Sequence, residues 1–299
     1  MHNSRIITNE FDFCQPATLT ELFGLLNEPG GDDRLIAGGT DILVMMKEGR
    51  HCPKRLVSTM KIDELDFIEI KDGVMRIGAA TKLKKVAAAC REIKSILALH
   101  EGVSSIGKLQ ILNMATIAGN ICTASPAADS VPPLLTLGTT LTLKSGDGER
   151  QVALEDFILG PGKTAIGRDE IVYSVNIPLP AEGVGSSFRK MERVGADIAK
   201  INIAISIKRN GDVCESCKVA VGSCAPTALL IDEPGGILSG QLISDPESDL
   251  IRRAGVAVSE AIRPIDDIRS TAEYRRKVAK VLFMDVFQVA WDRAKGDAS

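Results

Sequence analysis

Two glycine-bearing segments are where this chain could hold an anion. Ala37-Gly38-Gly39-Thr40-Asp41 follows a short apolar run, Leu35 to Ala37, and Thr116-Ile117-Ala118-Gly119-Asn120 opens a loop rich in glycine, serine and proline. Without a Cβ in the way, backbone N–H groups approach a phosphate closely, and a helix that starts at such a loop adds its own unpaired amides. Two loops of this kind could clamp one pyrophosphate from both sides. Neither reads G-x-G-x-x-G and neither ends in G-K-[ST], which excludes the Rossmann fingerprint and the P-loop. Taken alone, each is more often a tight turn than a phosphate site. Asp129 closes the segment Ser125-Pro126-Ala127-Ala128-Asp129. It is either a carboxylate that accepts hydrogen bonds from ribose hydroxyls or the N-cap of a following helix.

The other reactive side chains offer less. The seven cysteines (Cys14, Cys52, Cys90, Cys122, Cys214, Cys217 and Cys224) are odd in number and scattered, which reads as reduced thiols. Only Cys214 and Cys217 have metal-like spacing. With no second pair and no histidine nearby they make half a zinc site, and strand alternation would place them on opposite faces or at a strand edge. His2, His51 and His100 are far apart and sit in no acid–base or metal motif, so a histidine-driven hydrolase is a poor reading. Thirty-six basic against 39 acidic side chains leave a net charge of −3, which gives no footprint for nucleic acid. No stretch approaches the roughly 20 apolar residues that span a bilayer. The start lacks the apolar run of a signal peptide, so a cytoplasmic location is expected.

At roughly 150 residues per domain, a chain of 299 residues suggests two domains, and 44% hydrophobic residues can give each a core. Residues 1–57 read as a small α/β unit. Leu19, Leu22, Phe23 and Leu26 recur at helical spacing behind Thr18 as N-cap, and the glycine turn leads to a short helix closed by Gly49 and a returning strand. From 58 to 182 the pattern predicts two short strands about Lys71-Asp72-Gly73, a helix from about Lys82 to Cys90, and helical or irregular chain over 95–115. The long loop of 116–129, a hairpin at Gly146-Asp147-Gly148 and a strand ended by Pro178 and Pro180 follow. Prolines and glycines near 180–187 mark a domain boundary. Beyond it, over 187–292, strands precede two amphipathic helices.

Four segments, in this order, carry a resemblance: Ala37–Asp41, Ala115–Asp129, Phe188–Asn202 and Asp266–Leu282. Together they resemble the FAD-binding medium subunit of the molybdenum hydroxylases, the xanthine dehydrogenase and carbon monoxide dehydrogenase family. The resemblance runs from about residue 9 to about residue 290. It implies an α+β chain: a two-lobed FAD-binding PCMH-type domain, like that of vanillyl-alcohol oxidase, over 1–182, then a CO-dehydrogenase-flavoprotein C-terminal domain of antiparallel sheet plus helices. By the same resemblance Leu35, Ile36, Ala37, Gly38, Gly39, Thr40, Asp41 and Ile42 would hold the pyrophosphate. Thr116, Ile117, Ala118, Gly119 and Asn120 would close over it, Asp129 would bind ribitol or ribose hydroxyls, and Gly107, Thr123 and Ser125 would complete the FAD-binding set. Ile166 and Lys190 would lie near the isoalloxazine, where a cation favours the reduced ring; otherwise Lys190 is a solvated lysine, with Arg189 or Arg193 able to take its place.

No catalytic residue and no metal ligand is expected on this chain. The resemblance places the molybdopterin cofactor on a large partner subunit and [2Fe–2S] clusters on a small one, with FAD passing electrons to NAD or another acceptor. It also implies a dimer of heterotrimers. Loops near 40–50 or 105–125 are the expected docking faces. Two positions depart from the family pattern. Ala118 stands where many relatives have a second glycine, and Leu112 stands where many carry a basic residue. The rival reading is a free-standing FAD-dependent oxidoreductase acting directly on a small substrate.

Overall fold

The computed structural model describes residues 6–7, 9–28, 32–180 and 182–295; His2, and residue 181 within the expected boundary, lie outside them. The first unit runs β1 (Asp12–Cys14), α1 (Leu19–Leu26), β2 (Asp33–Ile36), α2 (Ile42–Lys47) and β3 (Arg55–Ser58). Its three strands are parallel in the order β1-β3-β2. Helix α1 starts where the sequence places it, because Thr18 Oγ1 accepts from Glu21 N at 3.2 Å and Leu19, Leu22, Phe23 and Leu26 turn to the core. Helix α2 ends before Gly49, whose φ of +69° suits the stop.

The second unit opens with the hairpin β4 (Ile68–Lys71) and β5 (Val74–Gly78), then the helices α3 (Leu83–Cys90), α4 (Leu97–Ser104), α5 (Leu109–Leu112), α6 (Ile117–Cys122) and α7 (Val131–Thr136). Next come β6 (Thr140–Lys144), β7 (Glu149–Ala153), α8 (Leu154–Phe157), β8 (Ile158–Gly160), β9 (Lys163–Thr164) and β10 (Ile171–Pro178). The sheet order β4-β5-β10-β6-β7 is antiparallel throughout. One correction concerns the segment expected as a long loop, since Ile117–Cys122 within it is helix α6. Thr116 caps α6, and the amide of Ile117 is held by the carbonyl of Thr81 at 3.2 Å. The two units share one apolar core that includes Leu22, Val57, Met75, Leu99, Leu134 and Phe157.

The third unit stacks β11 (Val184–Met191), β12 (Ile201–Asn210), β13 (Val213–Gly222) and β14 (Leu229–Ile231) into an antiparallel sheet. Helix α9 (Glu233–Leu238), the short β15 (Gln241–Leu242), α10 (Asp249–Ala261) and α11 (Ala272–Arg293) complete it. Its separate core gathers Ile203, Val219, Phe283, Phe287 and Trp291. Cys214 and Cys217 need a second correction: both are buried in that core instead of alternating. The register shifts between the pairs Lys208↔Ser216 and Arg209↔Cys214, so a bulge at Glu215 turns both thiols to one face. Burial pushes the Cys214 thiol up to about 11, which makes these small core residues.

Candidate functional site

Strand β2 delivers the first glycine loop. After Ile36, whose carbonyl accepts from Thr59 N at 3.0 Å, the chain turns through Ala37 to Asp41 into α2. Gly39 has φ +72°, a left-handed backbone that glycine adopts without strain. Gly38 has a different reason: a β-carbon there would run into the carbonyl of Met114, so the two glycine loops touch backbone to backbone. The carbonyls of Gly39 and Asp41 accept from Leu43 N and Met45 N in the first turn of α2. The amides of residues 37–41 find no acceptor among the described residues. An unbroken run of uncommitted N–H groups in a concave wall is an anion-binding nest.

The second loop is more committed. Thr116 Oγ1 accepts from Gly119 N at 3.1 Å, and Asn120 N bonds to Thr116 O at 3.0 Å. This leaves the amide of Ala118 as the main donor of the turn. Thr123 Oγ1 lies 3.0 Å from Asp41 Oδ2 and 3.0 Å from Gly119 O, so its one proton can tie the first loop to the second. Ser130 Oγ donates to Asn120 Oδ1 at 2.6 Å and fixes that amide.

A third wall comes from the approach to β10. Gly162 N bonds to Ala124 O at 3.1 Å, which brings Gly162, Thr164, Ile166, Gly167 and Arg168 to the loops. Glu170 is anchored there, accepting from Arg150 Nε at 2.6 Å and from Gly167 N at 2.6 Å. The Arg150 guanidinium holds its carboxyl below the usual carboxylate range. The three walls enclose a cleft of about 850 Å³, at the upper end of the sizes that small-molecule and cofactor sites have.

Leu35, Ile36, Ala37, Gly38, Gly39, Thr40, Asp41, Ile42, Thr116, Ala118, Gly119, Asn120, Thr123 and Ile166 all line this cleft. Ile117 is instead buried in the core beneath it. Gly107, with φ +58°, packs on the Ile111 side chain, and Ser125 Oγ accepts from Ala127 N.

Asp129 and Lys190 are not among the residues that line this cleft, and of their readings the helix cap and the solvated lysine need correction. Lys190 Nζ donates to Asp129 Oδ2 at 3.0 Å, to Ser105 O at 2.8 Å and to Asp197 O at 3.1 Å; Asn202 Nδ2 donates to Asp129 Oδ1 at 2.7 Å. The side chains of Lys190 and Asp129 are only 5% and 7% exposed. The pair is a buried seam between the second and third units, outside the cleft lining, so Lys190 is not a solvated lysine. Asp129 caps no helix either, since Ser130 holds the N-cap position of α7. Burial pushes the Asp129 carboxyl up, against the pull of the Lys190 charge and the Asn202 hydrogen bond.

Several lining residues escaped sequence reasoning, among them His51, Thr59, Ala79, Ile106, Ile111, Cys122, Gly162, Thr164, Arg168 and Glu170. The Gly-Pro-Gly and Ile-Gly-Arg turns of 160–168 carried a signal for the third wall; His51 and Cys122 carried none. Burial pushes the Cys122 thiol up to about 12, so it stays neutral near pH 7. Among the described residues no group of three histidine, cysteine or acidic side chains could hold a metal ion, and no helix is long and apolar enough to cross a membrane.

Comparison with known proteins bears on this cleft directly. The model of the FAD binding domain in molybdopterin dehydrogenase matches residues 9–180, and that of the CO dehydrogenase flavoprotein C-terminal domain matches residues 186–290. The chain is 30% identical to the carbon monoxide dehydrogenase medium chain of Afipia carboxidovorans, over 97% of this chain and 100% of that one. It is 29% identical to the glyceraldehyde dehydrogenase medium chain of Sulfolobus acidocaldarius, over 93% and 98%. Among solved structures, carbon monoxide dehydrogenase from Hydrogenophaga pseudoflava superposes with a TM-score of 0.91 at 26% identity, covering 96% of this chain and 99% of that one.

Proposed function

The chain belongs to the FAD-binding medium subunits of the molybdopterin dehydrogenases, and from that premise we propose that it is the electron-exit subunit of a multi-subunit dehydrogenase. The loops of 37–41 and 116–120 would hold FAD, placing it between [2Fe–2S] clusters on a small partner subunit and NAD or another acceptor. Substrate oxidation belongs to a molybdopterin-binding large subunit. The carrying observation is the row of uncommitted amides at 37–41, set beside the second glycine loop in the wall of the cleft.

The residues present fit the flavin nucleotide. Its pyrophosphate needs donors without bulk, and Gly38 and Gly39 supply backbone N–H groups at a place where Gly38 has no room for a side chain. Bound FAD would supply the capacity to take electrons singly and release them in pairs or singly. The protein supplies binding and orientation. Thr123 and Asp41 hold the two loops in register, and Ile106, Ile111, Ile166 and Val172 give the cleft apolar walls that shed water. Glu170 is clamped by Arg150 and Gly167 and Cys122 is a neutral thiol, while His51 and Asp41 also line the cleft. Electron carriage is favoured over a free-standing oxidoreductase by the match of both halves of the chain to medium-subunit domains.

The test is native purification from the source cell, with a visible spectrum and mass spectrometry of whatever travels with the chain. Absorbance near 450 nm, together with an iron–sulfur protein and a large molybdopterin protein, is the expected result. Adding NAD to the reduced complex then tests the acceptor. A yellow, solitary protein that turns over a small substrate by itself would overturn the reading.

A further inference from the structure

We propose that Arg150 and Glu170 are positioning residues for the cofactor: together they fix the turn of 165–168 so that Ile166 meets a ring of the flavin nucleotide, an inference that rests on the FAD reading above.

Ile166 sits on the third wall of the cleft, between Ala165 and Gly167. The peptide on each side of it is tied to the same ion pair. Arg150 Nη2 donates to Ala165 O at 2.9 Å, which holds the peptide entering Ile166, and Gly167 N donates to Glu170 Oε2 at 2.6 Å, which holds the peptide leaving it. The two anchors are joined to each other, since Arg150 Nε and Nη2 meet Glu170 Oε1 and Oε2 at 2.6 and 2.8 Å in a bidentate fork. One proton of Nη2 serves the carboxylate and the other the carbonyl. Two backbone bonds close the turn, Glu170 N to Gly167 O at 3.3 Å and Ala165 N to Phe157 O at 2.8 Å. It has little slack: a β-carbon on Gly167 would stand 3.0 Å from Glu170 Oε2. With both flanking peptides held, Ile166 keeps only its side-chain rotamers, and a β-branched side chain has few.

The place of the pair in the fold separates this role from that of a sheet staple. Arg150 is on the edge strand β7 and Glu170 directly precedes the central strand β10, with β6 between them. Ladders from β6 to β7 and to β10 already join these strands, and Arg150 directs its fork to the turn. The Arg150 side chain is 49% and that of Glu170 14% exposed. A half-exposed ion pair adds little to folding. A wall residue that retreats by about 0.5–1 Å, however, forfeits a quarter to a half of each dispersion contact with a bound ring. The effect of the pair therefore falls on the cofactor more than on the fold. The ring is isoalloxazine or adenine, both flat with apolar faces.

The test titrates FAD into the full chain after its flavin has been removed, followed by flavin fluorescence. Arg150→Ala should weaken FAD about tenfold, and Arg150→Lys, whose ammonium cannot fork, about threefold. Thermal unfolding of the flavin-free chain should barely move in either variant. Glu170→Gln keeps an oxygen for Gly167 N and should resemble Arg150→Lys. A cycle with Ile166→Ala isolates the route: if the pair acts by holding Ile166, Arg150→Ala costs less than about twofold once that side chain is gone. Titrations with ADP and with FMN identify the ring, because the loss should follow one of them; an equal loss with both would place the effect at the pyrophosphate loops and overturn the assignment. Unchanged FAD affinity in Arg150→Ala, or an undiminished loss in the Ile166→Ala background, also overturns it and leaves FAD binding standing. If the wild-type chain takes up no FAD, the FAD reading itself falls, and the positioning role with it.

Discussion

The cleft and the seam between the second and third units are both polar, yet their polar groups are in opposite states. In the seam, Asp129 accepts from Lys190 and Asn202, and the Lys190 ammonium also meets Ser105 O, Asp197 O and the Glu192 carboxylate at 2.9 Å. Next to them Glu101 takes the amide of Phe188 at 2.7 Å and the Arg293 guanidinium at 2.6 Å, while Arg293 reaches the carbonyl of Ser186 at 2.7 Å. In the cleft the amides of 37–41 have no acceptor among the described residues. Residues 37–40 are half-buried and Asp41 is exposed, so water can meet these amides until a ligand's acceptors replace it. The seam's donors are spent within the protein, although Asn202 Oδ1 and Glu192 Oε2 receive no hydrogen bond among the described residues. Whether donors are committed, more than residue type, separates a binding wall from a strut.

The sharpest way to break this contrast is Lys190→Met, which leaves Asp129 buried without its cation. Removing one partner of a buried pair costs about 3–5 kcal/mol, to be read by urea or thermal unfolding of the flavin-loaded protein. The pH dependence has a definite sign. Without the ammonium the Asp129 carboxyl rises further above its unfolded value, so the folded variant holds the proton more tightly than the unfolded chain does. Its deficit is therefore smallest at acid pH, where the carboxyl is protonated in both states, and grows as pH rises from the unfolded value toward the folded one. Flavin content at saturating FAD should hold. If stability is unchanged while the flavin potential shifts, Lys190 belongs to the cofactor and the contrast collapses.

Where the contrast was legible in the sequence follows from the range of the interactions. The first glycine loop was readable because its cause is local: an apolar strand, two glycines and a helix within ten residues or so. Thr18 as a cap was readable for the same reason. The Asp129–Lys190 pair was not, because the partners are 61 residues apart and both residue types suit a nucleotide site. Helix α6 was missed because Gly119 and Asn120 are poor helix formers; the Thr116 cap and the Thr81 carbonyl hold it. The bulge that turns Cys214 and Cys217 to one face is a property of pairing with β12 and leaves no trace in the spacing of the cysteines.

Gly38→Ala probes the cleft side with a smaller effect. The new methyl must displace the Met114 carbonyl or its own loop, and overpacking of this kind costs about 1–3 kcal/mol. The shift falls on the anion nest, so FAD affinity should drop more than tenfold, about 1.4 kcal/mol or more, measured by flavin release during ultrafiltration. Normal FAD affinity in this variant would mean that the amides of 37–41 are not what holds the pyrophosphate.

The finest test concerns the link between the two loops. Thr123→Val keeps the shape of the side chain and removes the hydroxyl shared by Asp41 Oδ2 and Gly119 O. Because the site is half-exposed, the loss should be about 0.5–1.5 kcal/mol, a severalfold weakening of FAD binding with little change in folding stability. Asp41→Asn alone and combined with Thr123→Val then completes a cycle, and a coupling near the single-variant effect shows that the hydroxyl acts through Asp41. A coupling of zero would assign loop alignment to the backbone contact of Gly38 with Met114 alone.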